Sequence, residues 1–139
     1  MAIKNYTSGV DVYQSLGEIQ GALAAHGARR VMVDYGEDRA PAGITFELEG
    51  PGGSAVFALP ANVDGVERAF ARAKIKADTE QARRTAWRNI RDWVLAQMAF
   101  IESGAVEIDE VFLPYLMGRG GQALYQAYRC GGLLTEGKE

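Results

Sequence analysis

The chain has 139 residues, 47% hydrophobic and 24% charged, with a net charge of −3. That balance describes one ordinary globular domain with a single modest core. It excludes collagen-like, disordered and membrane-spanning chains, because no apolar run approaches the ~20 residues a bilayer requires.

The first residues, MAIKNYTSG, lack the apolar run of a signal peptide. Ile3–Thr7 is β-compatible and reads as a short strand. Ser8 reads as an N-cap, with Asp11 in an acidic first turn, of a helix in which Val12, Leu16, Ile19 and Leu23 recur at helical spacing, with Gly27 placed to close it. His26 falls in the last turn, where it suits the helix dipole. A lone histidine makes no metal site. Arg29–Tyr35 reads as a strand. Gly36–Pro41, GEDRAP, is turn chemistry. Gly43–Glu49 alternates, with Ile44, Phe46 and Leu48 on one side and Thr45, Glu47 and Glu49 on the other, as in an antiparallel strand with one wet face. GPGG (50–53) turns the chain into Ser54–Leu59. No helix follows those glycines directly and no Gly-Lys-Ser/Thr closes them, so a hairpin turn is expected rather than a phosphate loop.

Pro60 ends the third strand and Asn62 is placed to cap a helix over Val63–Ile75. Its inner face is Val66, Phe70 and Ala73, and Arg68 and Arg72 point outward. Asp78 or Thr79 caps the longest patterned stretch, Thr79–Ser103, which holds both tryptophans and is closed by Gly104. Ala105–Met117 reads as a helix bent or broken near Pro114. Gln122–Cys130 reads as a short amphipathic helix burying Leu124, Tyr125 and Tyr128. The fold class expected is α+β: a small antiparallel β-sheet with an N-terminal helix, followed by a C-terminal helical half. The whole forms one domain, with residues 1–60 as helix plus sheet, 61–132 helical, and 133–139 a flexible tail.

Charge is segregated. Residues 1–67 carry net −5, residues 68–91 net +6 and residues 92–139 net −4. A basic middle segment in an acidic chain suggests an anionic ligand, or a match to acidic segments of the same chain or of a second copy. On a helical wheel Arg84, Arg88 and Arg91 share one edge, and Ala86, Ile90, Trp93, Val94 and Ile101 occupy an apolar sector. Trp87 sits at the border, and Asn89 and Asp92 flank the arginines. Arg88 and Asp92 are spaced for an i,i+4 pair. Guanidinium forks beside an indole suit phosphate oxygens and a base. A solvated face with both tryptophans in the core suits the same pattern, most strongly for Trp93. The acidic residues Glu102, Glu107, Asp109 and Glu110 form no recognised catalytic or metal motif. Cys130 is the single cysteine, which excludes an internal disulfide and fits a reducing compartment. No nucleophile–base arrangement is legible, so no enzyme and no cofactor are expected.

Three stretches, FALPANVDGVERAF (57–70), EQARRTAWRNIRDWVLAQMAFIESG (80–104) and EVFLPYL (110–116), resemble a family of small uncharacterised phage and prophage proteins of Firmicutes. A more specific similarity is to phage anti-defence proteins of the Thoeris-sponge type. That resemblance implies an oligomeric, cytoplasmic, non-enzymatic protein in an infected bacterial host, sequestering a small phosphorylated cyclic nucleotide. By role, Arg84 and Arg88 would meet phosphates, and Phe57 with Asn62 or Asn89 would meet the base; Arg91 and Trp87, from the same helix edge, complete the candidate ligand-binding set. The alternatives are a phage nucleic-acid-binding or replication-accessory protein, and an anti-CRISPR-type inhibitor acting by protein contact.

Overall fold

The computed structural model describes residues 1–131. The tail expected over 133–139 lies outside them. The elements are α1 (Val12–Ala25), β1 (Arg30–Tyr35), β2 (Pro41–Gly50), β3 (Gly53–Pro60), α2 (Val63–Arg72), α3 (Thr79–Glu102), α4 (Ile108–Val111), a 3₁₀ turn (Leu113–Tyr115) and α5 (Leu124–Arg129). The strands form one antiparallel sheet in the order β1-β2-β3. The α+β fold read from the sequence is therefore the observed one.

Local chemistry accounts for the elements. Asp11, and not Ser8 as the sequence suggests, is the N-cap of α1: its carboxylate accepts the Tyr13 N–H at 2.9 Å. The Asp78 carboxylate accepts the Gln81 N–H at 2.9 Å and starts α3. Along α1 the four apolar positions Val12, Leu16, Ile19 and Leu23 are all buried. In the sheet, Ile44, Phe46, Leu48, Phe57 and Leu59 turn to one face, where α1 and α3 cover them. Phe46 and Phe57, directly paired across the ladder, stack with centroids 5.4 Å apart.

Several local expectations are corrected. Residues 4–7 form a turn rather than a strand, and this turn is seated on α3. The Asn5 amide donates to Asn89 Oδ1 at 2.8 Å and to Asp92 Oδ2 at 2.9 Å, and Thr85 Oγ1 donates to the Asn5 carbonyl at 3.0 Å. Asp92 is thus drawn to Asn5, to Lys4 at 2.7 Å and to Arg91 at 3.0 Å rather than to Arg88. Burial opposes its ionisation, yet hydrogen bonds from Lys4, Asn5 and Arg91 hold its carboxyl far below the usual range. Asn62 occupies the N-cap of α2 in the left-handed region (φ 60°), with no capping hydrogen bond from its side chain.

The segment after α3 is broken ahead of Pro114 rather than bent. α4 makes a single turn closed by a Glu107–Glu110 capping box, and the 3₁₀ turn follows. Phe112 between them is fully buried, edge-on to Phe46 at 5.0 Å and to Trp93 at 5.4 Å, so it pins this segment into the core. The chain then crosses the β3 edge, where the Met117 N–H donates to the Val56 carbonyl at 2.8 Å. α5 folds back through the Leu124 N–H, which donates to the Leu116 carbonyl at 2.8 Å. Tyr125 and Tyr128, expected inside, are 54% and 48% exposed, because α5 lies over the rim of the sheet rather than on the core.

His26 joins the ends of α1 and α3. Its Nδ1 lies 2.7 Å from the Ala22 carbonyl and its Nε2 2.8 Å from Glu102 Oε2. Both partners accept only, so the doubly protonated ring suits the site. The Ala22 carbonyl first, then Glu102, raises the His26 pKa above its ordinary 6.5. A raised pKa means this contribution is complete below pH ~6.5 and fades as pH climbs through the folded-state value. With Glu102 largely exposed, it is worth on the order of 0.5 kcal/mol. Thermal melts across pH 5–8 should therefore show the wild type losing its advantage over His26→Gln as pH rises. A gap that widens with pH would refute the assignment.

Candidate functional site

The arginine edge of α3 faces inward. Arg88 Nη1 reaches Glu18 Oε1 of α1 at 3.2 Å and Ser15 Oγ at 3.2 Å, and Arg91 Nε meets the same Glu18 oxygen at 2.5 Å. Side-chain exposures are only 16% for Arg88 and 29% for Arg91. The hydrogen bond from Arg91 lowers the Glu18 pKa, against a smaller opposing effect of burial. Arg84 donates to the Ser8 carbonyl at 3.3 Å and to Gln81 Oε1 at 2.6 Å. The three guanidinium groups therefore clamp α1 and the N-terminal turn onto α3, and an incoming phosphate would have to displace Glu18. Arg91 does border a shallow groove, but Glu18, His26 and Glu102 share it.

The two aromatic rings proposed to meet a base are also occupied. Trp87 is fully buried, its Nε1 3.4 Å from the Pro41 carbonyl, and Phe57 is buried under Phe46. Trp93, placed deeper by the helical wheel, is the half-buried one. The reason is that α3 packs against both α1 and α2, and Trp87 joins the core cluster of the inward sheet residues and reaches Pro41 at the start of β2. Its buried arc is therefore wide enough to take in Trp87.

Open space lies on the other side of the sheet, at its end, and beside the β1–β2 turn. The last, a groove of about 540 Å³, has Asp38, Asp64, Glu67 and Arg83 in its walls with Asn62 at its border; the first two places are the less charged. Two grooves share Leu59, Pro60 and Tyr115 as common walls. The larger, about 580 Å³, lies between the outward sheet face and the segment carrying α5. Its sheet side is made of small residues, Ala42, Gly43 and Ala58, with Asp34 at one edge; Tyr125 and Gln126 stand opposite. Small side chains here leave room that the rest of this face fills with polar contacts: Thr45 to Asp34 at 2.7 Å, Arg29 to Glu49 at 2.6 Å, and Ser54 to Glu47. Such a mostly apolar cleft with few polar groups fits the usual form of a ligand site.

The second groove, about 420 Å³, has an apolar floor that includes Val66, Ala86 and Ile90. Asn62, Asn89, Trp93 and Tyr115 line it as well. Asn89 Oδ1 is taken by Asn5, which turns the Asn89 NH₂ into the available donor. The Asn62 carboxamide makes no capping bond and lies against Gly65, where a Cβ would come within 2.4 Å of Asn62 Nδ2. Neither groove is lined by an arginine or a lysine.

Of the seven residues singled out in the sequence, the structure thus brings Asn62 and Asn89 into one cleft. It sends Arg84, Arg88 and Arg91 to the α1 side, and Trp87 and Phe57 into the core. Tyr115, Trp93, Gly43 and Ala58 were missed as site residues. The available signal for the last two was the pair of small residues at outward positions of otherwise polar strand faces. Among the described residues no group of histidine, cysteine and carboxylate side chains is arranged to hold a metal, and no helix is long and apolar enough to cross a membrane. Comparison with family models, with curated proteins and with solved structures gives no match.

Proposed function

We propose that the protein is a non-catalytic binding protein that captures the base of a small cyclic nucleotide in the Asn62–Asn89 cleft, and so withholds a phosphorylated signal from a host defence pathway. The observation that carries this reading is the convergence of two carboxamides, 27 residues apart in sequence, on one apolar cleft walled by Trp93 and Tyr115. Asn89 presents its NH₂ as a donor, and the Asn62 carboxamide offers a donor and an acceptor side by side, the complement of an adenine edge. An apolar floor and aromatic walls suit the faces of the ring. With no cation lining either groove, recognition rests on the base rather than on the phosphates. The phage context and the cytoplasm of an infected cell rest on the resemblance of residues 57–116.

The test is retention. The protein is incubated with cyclic nucleotides and cyclic ADP-ribose isomers, washed, heat-released, and the ligand examined. Intact recovery is expected, with Asn89→Asp and Tyr115→Ala each weakening binding at least ~10-fold, as expected when a polar contact or a ring wall is lost. A chemically altered product, or full affinity in both variants, would sink the proposal. A second reading, inhibition by protein contact, is favoured by exposed Leu113, Tyr125 and Tyr128 on the C-terminal segment. It predicts no ligand retention at all.

A further inference from the structure

The excess positive charge of residues 68–91 separates into two groups. Arg83 pairs with Asp38 at 2.7 Å and Glu80 at 3.1 Å, Arg88 and Arg91 pair with Glu18, and Arg84 is bonded to backbone and amide. The other four cations, Arg68 and Arg72 on α2, Lys74 in the turn after it and Lys76 in the linker to α3, are all exposed. Among the described residues none of the four has a carboxylate within ion-pair distance, although every arginine of α3 but Arg84 has one. Nearby acids are engaged elsewhere or stand apart. Glu67 accepts from Thr79 at 2.8 Å, Asp78 caps α3, and Asp64 sits in the opposite, first turn of α2. The helix dipole rationalises one cation in the last turn, Arg72, but not the other three.

The ridge also lacks what a protein interface requires. No large hydrophobic residue between positions 63 and 78 is exposed, and the apolar surface beside Arg72 is that of Met1 and Ile3 in a small groove, without the buried aromatic anchor around which a protein–protein hot spot forms. No exposed aromatic ring stands there either, so there is no platform for stacking single-stranded bases. What remains is a row of point charges. Arg68 and Arg72 are separated by about 6 Å of helix; the chain then turns back at Lys74, in the left-handed region, where the Ile75 N–H donates to the Phe70 carbonyl at 2.8 Å, and Lys74 and Lys76 follow that end of α2 in the linker to α3.

We propose that this ridge binds the phosphate backbone of duplex nucleic acid without reading its sequence. The surface is separate from the ligand cleft, and none of the four residues lines either groove. Backbone binding needs only cations placed to replace condensed counterions, and its signature is salt dependence with a slope of about −0.9 per phosphate contacted. Fluorescence anisotropy with a labelled 20-bp duplex of mixed sequence, from 25 to 150 mM salt, reads this directly. The expected slope is about −3 to −4 for the wild type. It should fall by about 1 in Arg72→Gln and vanish, with at least ~10-fold weaker binding at 25 mM, when Arg68, Arg72, Lys74 and Lys76 are all changed to glutamine. Circular dichroism should show both variants folded, since all four side chains are exposed. No duplex binding at 25 mM salt, or binding that survives the fourfold change, would overturn the proposal. Equal binding of a poly-glutamate peptide would overturn it too and give the ridge to an acidic protein.

Discussion

Trp87→Ala should lose about 3–5 kcal/mol of stability, the cost of emptying a large buried aromatic site. For a domain of this size that is a large share of the total. Trp87 is fully buried and joins the cluster in which Val94, Met98 and the inward residues of α1 and β2 meet. Its indole N–H also reaches back to Pro41, at the start of β2. Trp93→Ala is the natural comparison. Its ring is half-buried and meets Phe112 and Tyr115 edge-on, at 5.4 and 6.1 Å. The loss there should be smaller, with the greater effect falling on ligand retention. Equal destabilisation of the two variants in urea melts would show that the burial order is wrong.

Gly43→Val should destabilise by about 1–3 kcal/mol, in the range of overpacked interiors. At Gly43 a Cβ would stand 2.9 Å from the Leu59 carbonyl oxygen. That oxygen belongs to the backbone of the paired strand and cannot swing aside as a side-chain tip would. The same substitution places a branched side chain on the floor of the larger groove. Lowered melting temperature and reduced capacity for a ligand should therefore appear together. Gly52→Ala, in the β2–β3 turn with nothing within 4 Å of the added carbon, should leave the melt unchanged. A Gly43→Val protein as stable as the wild type would mean that β2 and β3 approach less closely than the structure shows.

What was legible in the sequence follows from how each element is covered. α1 has one covered face, so the spacing of Val12, Leu16, Ile19 and Leu23 names its buried side without error. β2 has one dry and one wet face, so its alternation names Ile44, Phe46 and Leu48. α3 defeats the same reasoning because it packs against both α1 and α2, and the border residue Trp87 becomes the most enclosed. The fate of the arginines was illegible for a different reason. Glu18 lies 70 and 73 positions before Arg88 and Arg91, and no local spacing announces that pairing. The bland reading weighed beside the ligand site, a match to acidic groups of the same chain, describes these contacts.

The site followed the same logic. Asn62 and Asn89 come from two of the stretches that carry the phage resemblance, and Tyr115 comes from the third. All three stretches meet around one cleft. In sequence they are separate patterns, and only the closure of β3 onto α3, with Phe112 pinning the last stretch, brings them together.

The Met117–Val56 hydrogen bond has a further bearing on how the molecule meets its own kind. Of the two borders of a three-stranded sheet, the one along β3 is interrupted at its middle by the chain's own C-terminal segment. Among the described residues only β1 offers a free row of backbone donors and acceptors, and the shift in register at Asp34–Tyr35 lies on its other side, in the ladder to β2. A sheet with a single usable border cannot template indefinite strand-to-strand growth. Any joining of two molecules through their backbones stops at a closed pair, so a cell producing large amounts of this protein would be spared fibres.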